Sequence, residues 1–284
     1  MTKQLLSKIE GCYSSMSKGH KRIADYITEN YDKAAFMTAA KLGDTVGVSE
    51  STVVRFASEL GFSGYPQLQK TLQEVVKSRL TSVQRMEAAG GEDMLEHAFS
   101  SDIETIKATR ESISREAFNA SVDAINRAKH IYVLGVRSAA SLASFAAFYL
   151  NFVYDSVTLI EPAGTGEAFD QAFRINKDDV CIAISFPRYS KQTINMLRFI
   201  SDRGATVISV TDSENSPIAQ FATHLLLARS SMVSFVDSLV APLSLINALI
   251  AAAASEKSGE VYSNLSSLEN IWDEYQIYQT HEDE

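Results

Sequence analysis

Between Gly47 and Tyr65 the sequence GVSESTVVRFASELGFSGY places Ser49, Glu50, Ser51, Thr52 and Arg55 at and just after the start of a helix. Short hydroxyl side chains and an arginine at a helix start suit base edges and phosphates when that helix enters the major groove of DNA. A second set of chemistry-bearing residues lies in LGVRSAAS and ISFPRYSKQT. In the first, Gly135 ends an apolar strand and Ser138 opens a helix; in the second, Ser185 and Ser190 stand in those places. Hydroxyls and backbone N–H groups at a helix start attract anions. Arg137 and Arg188, in the same two loops, are suited to gripping a phosphate or carboxylate with two parallel hydrogen bonds. Plainer readings stand beside both: any corner of a helical domain shares the first pattern, and Ser138 and Ser190 serve equally as simple helix caps with solvated arginines nearby.

The elements needed to hold the first set are two short helices. Thr38 caps the first, which runs through Ala39, Ala40 and Leu42, and Gly47 takes the turn. Ser49 caps the second, with Val53, Phe56 and Leu60 at helical spacing on its packing side. Around this corner the chain reads as further helices, with apolar positions at Leu5 to Ile9, at Ile23, Ile27 and Tyr31, and from Pro66 to Leu80. Residues 1–80 therefore read as an all-α bundle. The polar and small residues from Thr81 to Gly91, ending in Gly90 and Gly91, read as a linker about which that bundle pivots. A helix follows from about Glu92 to Ser112, its apolar side formed by Leu95, Phe99, Ile103 and Ile106.

The second set needs a different scaffold. From residue 117, short apolar runs at His130–Gly135, Val157–Ile160, Asp179–Ser185, Thr206–Val210 and His224–Leu227 alternate with amphipathic segments at 139–152, 190–203 and 217–221. These predict a mostly parallel five-stranded sheet in a three-layer α/β domain over 117–260. A long helix over 235–256, opened by Asp237, and a final helix near 265–276 within a C-terminal segment 261–284 complete it. Such sheets bind ligands at the carboxyl ends of their strands. No GxGxxG or GxxxxGK[ST] is present, which argues against a dinucleotide or a nucleoside triphosphate.

Charge divides along the same boundary. Residues 1–80 hold 11 of the 26 Lys and Arg and 8 of the 35 Asp and Glu, about +3, leaving 15 basic against 27 acidic residues beyond, about −12. A basic module joined to an acidic domain suits a nucleic-acid partner for the first part alone. With 284 residues, 45% of them hydrophobic, the chain has material for two cores. The N-terminus has no signal-peptide pattern, and the most apolar stretch, 239–254, is interrupted by Pro242, Ser244 and Asn247 and is short for a membrane span. A soluble cytoplasmic protein is expected, with no membrane partner. Cys12 and Cys181 are too few and too far apart for a disulfide framework, no Cys/His cluster has zinc spacing, and neither metal nor cofactor is expected.

These features together resemble the RpiR-type transcriptional regulators, which join an N-terminal helix-turn-helix to a sugar isomerase (SIS) domain. The stretch Gly47–Tyr65 is similar to the family's DNA-reading helix and the loop after it; GVRS, the Ile-Ser pair at 184–185 and the order of strands are similar to a SIS domain. The resemblance implies operator DNA as partner, a phosphorylated sugar or related anionic metabolite as effector, homodimers or homotetramers, and control of genes for that metabolite. It also implies phosphate-binding roles for Ser185, Ser190 and Thr193. The loop departs from the usual S-x-S-G-x-T pattern: Ser185 to Thr193 is longer and lacks the glycine. Arg137, Arg188 and Lys191 add positive charge, pointing to an effector more acidic than a neutral sugar phosphate.

Two alternatives remain at this level. Isomerisation of a phosphosugar needs a carboxylate and an acid near the sugar, for which Glu161, Glu167, Asp237 and His224 are available, although first-turn charges and a packing histidine explain them more simply. A helical domain that binds another protein is the other alternative, and it is disfavoured by the polar side chains from Ser49 to Arg55.

Overall fold

In the computed structural model, residues 8–9, 11–79, 81–88, 93–161 and 165–278 are described. The chain divides into two compact units, Met1–Gly90 and Gly91–Glu284.

The first unit is helical: α1 (Lys18–Glu29), α2 (Tyr31–Ala34), α3 (Ala39–Val46), α4 (Glu50–Glu59), α5 (Tyr65–Arg79) and α6 (Ser82–Ala88). Ile23, Ile27, Leu42, Val53, Phe56, Leu68, Leu72 and Val76 are buried and come from four of these helices, at the spacing that puts one side of each helix inward. Gly47 adopts φ 71°, the left-handed turn that a residue without Cβ takes most easily, and so separates α3 from α4. Gly43 allows α3 and α4 to touch, since a Cβ there would lie 2.8 Å from the Val48 carbonyl oxygen. The segment expected as a linker is helical from Ser82 to Ala88. Gly90 and Gly91 lie outside the described residues.

The second unit begins with α7 (Met94–Ser112) and α8 (Arg115–Arg127). It continues as β1 (Ile131–Gly135), α9 (Ala139–Leu150), β2 (Val157–Ile160), α10 (Thr165–Ala172), β3 (Val180–Ile184), α11 (Lys191–Asp202), β4 (Thr206–Thr211) and β5 (His224–Leu227). All five strands pair in parallel in the order β2-β1-β3-β4-β5. Side chains alternate between two cores. Ile131, Val133, Val180, Ile182 and Ile184 face α8, α9 and the later helix α12 (Val240–Glu256); Tyr132, Leu134, Cys181 and Ala183 face α10 and α11. Burial on both faces explains why β1 and β3 read as continuous apolar runs, and the three-layer α/β expectation holds.

Three details correct the sequence reading. Residues 231–238 do not start the long helix but form a two-residue antiparallel ribbon, β6 (Ser231–Met232) with β7 (Asp237–Ser238), so Asp237 does not open α12. The 217–221 segment is a short 3-10 turn, Ala219–Phe221, and the last helix, α13, starts earlier than expected and spans Ser258–Glu274. No helix among the described residues is long and apolar enough to cross a membrane.

Candidate functional site

In the first unit Ser49 caps α4, accepting from the Thr52 backbone N–H at 3.3 Å while its hydroxyl lies 2.9 Å from that of Ser51 and 2.8 Å from that of Thr52. Ser49, Glu50, Ser51 and Arg55 are exposed along one edge of the helix, and Arg55 Nε donates to the Ser51 carbonyl at 3.3 Å. Thr52 is half-buried against α1, its methyl carbon 3.4 Å from where a Cβ on Gly19 would be. Val54 lies 40% exposed on the outer face, an apolar member of a face expected to be polar.

In the second unit the strand order positions the candidate residues. The connection from β1 leads outward to β2 and that from β3 outward to β4, so the neighbours β1 and β3 form the point where strand order reverses, and in sheets of this kind ligands bind beyond the carboxyl ends of the strands at that point. The pairing of Gly135 with Ile184 brings the loops 136–138 and 185–190 side by side there. Gly135 is required by packing: a Cβ would lie 2.6 Å from the Ala139 carbonyl oxygen and 2.8 Å from the Ala143 Cβ, so α9 rests directly on the strand end. Arg137 is exposed and sits at φ 57°, a left-handed conformation uncommon for a side-chain-bearing residue. Ser138 is exposed, and its hydroxyl makes no capping bond, so it is not the simple helix cap.

The loop after β3 is tied down more firmly. Ser185 is buried and its N–H donates to the Val210 carbonyl, so that N–H is not free as the strand-end reading expected. Phe186 enters the core. Arg188 and Lys191 are exposed, whereas Ser190 does cap α11, accepting from the Gln192 N–H at 3.2 Å. Thr193, in the first turn of α11, is fully buried and its hydroxyl has no hydrogen-bond partner in the structure. Buried hydroxyls without partners are rare in folded proteins.

Sequence reasoning missed Asp212, one residue past β4. The Tyr189 hydroxyl donates to its carboxylate, and burial pushes the Asp212 pKa above the ordinary value although Tyr189, its own backbone N–H, Thr211 and Arg229 pull the other way. The carboxylate is isolated in the sequence, so only the folded loop reveals it. Of the isomerase candidates, Glu161 directly follows β2 and Glu167 lies in the first turn of α10, both at the carboxyl end of the sheet. His224 is the first residue of β5, which in a parallel sheet is the opposite end. Asp237 belongs to the short ribbon.

Comparison with known proteins follows the same division. Residues 3–79 match the helix-turn-helix domain of the rpiR family, and residues 124–252 match the SIS domain. The chain is 25% identical over 228 residues to the HTH-type transcriptional regulator HexR of Pseudomonas aeruginosa, covering 78% of this chain and 77% of that one. Among solved structures, the sugar isomerase domain of the Sphaerobacter thermophilus RpiR transcription factor is 29% identical with a TM-score of 0.58, covering 61% of this chain and 96% of that one. The Vibrio vulnificus NanR protein complexed with ManNAc-6P shares the fold with a TM-score of 0.60 at 22% identity, over 95% of this chain and 98% of that one.

Proposed function

Because this chain belongs to the rpiR family of helix-turn-helix transcriptional regulators and carries a SIS domain, we propose that it reads operator DNA through α4 and senses an anionic sugar derivative at the crevice between β1 and β3. Ser49, Glu50, Ser51 and Arg55 line the edge that enters the major groove, with Thr52 seating the helix against α1. In a dimer or tetramer held by the acidic domains, two copies of α4 reach successive major grooves about 34 Å apart, so the operator is an imperfect palindrome. The effector shifts operator affinity by binding one arrangement of the assembly more tightly than the other.

The observation that carries the ligand reading is the Thr193 hydroxyl, buried and unpartnered at the start of α11. On this reading a phosphate or carboxylate oxygen accepts its proton, beside the hydroxyls of Ser138, Ser185 and Ser190. Gly135 contributes by letting α9 close on the strand end. Arg137, Arg188 and Lys191 give the mouth its positive charge and favour an acidic effector, such as a sugar acid phosphate.

Thr193→Val tests this, because it deletes a hydroxyl that bonds nothing in the unliganded protein. Its unliganded melting temperature should equal or exceed that of the wild type, since an unpaired buried hydroxyl costs about 1–3 kcal/mol. Its thermal shift with N-acetylmannosamine 6-phosphate, aldonic acid phosphates and other sugar phosphates should shrink or vanish. If no member of the panel shifts the wild-type melting temperature, the ligand reading fails. Equal operator affinity with and without a bound effector in a gel-shift titration would remove the allosteric step alone.

The regulator reading is favoured over an isomerase because His224 does not join Glu161 and Glu167 at the carboxyl end of the sheet.

A further inference from the structure

The densest run of positive charge in the first unit is Lys18-Gly19-His20-Lys21-Arg22, the opening of α1, which lies outside the reading helix. The structure sets this turn directly against that helix along its length. A Cβ on Gly19 would meet Thr52 Cγ2 at 3.4 Å and Val48 Cγ1 at 3.5 Å, so the absence of a side chain is what lets α1 come this close. Arg22 Nη1 donates to the Gly47 carbonyl at 3.4 Å, at the turn before α4. His20 Nδ1 lies 2.5 Å from Glu59 Oε2, at the far end of α4, and its ring meets Phe56 edge-on at 5.7 Å. The start of α1 is thus held against the reading helix and the turn before it at three points, from Gly47 to Glu59.

Lys18 and Arg22 are exposed and Lys21 is half-buried over the Tyr13 ring; among the described residues none of the three is ion-paired. Glu50 is the acidic side chain at the nearby start of α4.

We propose that Lys18, Lys21 and Arg22 form a phosphate-binding strip that clamps one backbone strand of the DNA while α4 occupies the adjoining major groove. The inference rests on the DNA reading above. A major groove is about 12 Å wide and bounded by two rows of phosphates, so a basic turn locked beside the helix that fills it lies over one row. Phosphate-directed side chains of this kind set orientation and carry no sequence information, and each phosphate neutralised releases counterions. His20 and Gly19 take no part in binding; they hold the strip at its distance from α4.

The test is the salt dependence of binding by the full chain to a fluorescein-labelled 24-bp duplex of mixed sequence, titrated between about 50 and 200 mM KCl. The wild type should lose affinity steeply as salt rises. Lys18→Gln with Arg22→Gln should flatten the slope of log K against log salt by about 2, near 0.9 for each phosphate no longer neutralised, and weaken binding at low salt about tenfold. Lys177→Gln, which removes one exposed charge from the second unit, should leave the slope unchanged. Lys18→Gln alone changes an exposed side chain without an ion-pair partner, and should remove about 0.9 of slope even if the double variant melts early. A wild-type slope in the double variant, or an equal loss in Lys177→Gln, overturns the strip and leaves the DNA reading standing. If the wild type shows no salt-dependent affinity for the duplex, the DNA reading itself fails and the strip with it.

Discussion

The hydroxyl of Tyr189 donates a 2.6 Å hydrogen bond to Oδ1 of Asp212, fastening the loop after β3 to the residue that follows β4. No glycine shapes this loop, and a side-chain bond between two strand ends helps to fix it instead. Tyr189→Phe keeps the ring and loses the bond; it should cost about 1 kcal/mol in denaturant unfolding and weaken effector binding more than it lowers stability.

Asp212 predicts a pH dependence of stability. Its folded pKa lies above the ordinary carboxylate value because burial outweighs its hydrogen bonds and Arg229. Its contribution is therefore fully present below about pH 4 and is lost as pH rises through the elevated value. Asp212→Asn should melt higher than the wild type near pH 7, with the gap closing toward pH 4. A constant difference across thermal melts in that range would contradict the assignment.

At the other end of the sheet, His130 Nδ1 lies 2.6 Å from Ser156 Oγ and its Nε2 2.7 Å from Thr158 Oγ1, joining β1 to the edge strand β2. Burial lowers its pKa while Asp179 partly offsets the shift. The folded protein thus favours the neutral ring, and the stability carried by His130 is full above about pH 6.5 and is lost as pH falls from there through the lowered folded value. His130→Gln should flatten the fall in melting temperature between pH 7 and 5.

Gly135→Ala drives a Cβ into the Ala139 carbonyl and Ala143. Overpacking of this kind costs about 1–3 kcal/mol, and a melting temperature lower by several degrees is expected. An unchanged melt would mean that α9 can retreat from the strand end.

Gly47→Ala meets a different obstacle, the left-handed backbone at φ 71°. A cost of about 1–2 kcal/mol is expected in the unfolding of the first unit, together with weaker DNA binding as α3 and α4 lose their fixed angle.

The five strands were legible as short runs rich in branched and apolar residues, and in the central strands β1 and β3 burial on both faces leaves no polar alternation to confuse them. The α3–α4 corner was legible because Thr38, Gly47 and Ser49 all act locally, through caps and a turn. Helix α6 was overlooked although its start carries a clear signal: Thr81 and Gln84 form a reciprocal capping pair, Thr81 N–H to Gln84 Oε1 at 2.9 Å and Gln84 N–H to Thr81 Oγ1 at 3.2 Å. Pro242 could likewise have marked the true start of α12, since it occupies the first turn, where a missing N–H does no harm.

Other features depend on tertiary packing that no local pattern contains. The apolar stripe of α7 was recognisable, yet Leu95, Phe99 and Ile103 are 70%, 63% and 50% exposed, because periodicity shows that a face is apolar and not what covers it. Ser138 and Ser190 looked alike in sequence; Ser190 caps its helix and Ser138 does not, a difference set by the backbone at Arg137 and Ser138. Thr193 and Asp212 acquire their significance from burial alone.

The reversal of strand order has a mechanical consequence. Helix α9 leaves β1 into the layer on one side of the sheet, and α11 leaves β3 into the layer on the other, each with its own core. Both helices start at the carboxyl end of the sheet, with the full thickness of the sheet between their cores. A small molecule bound at the proposed site would act as a shim between the two, able to change the tilt of two outer walls at once without disturbing a strand.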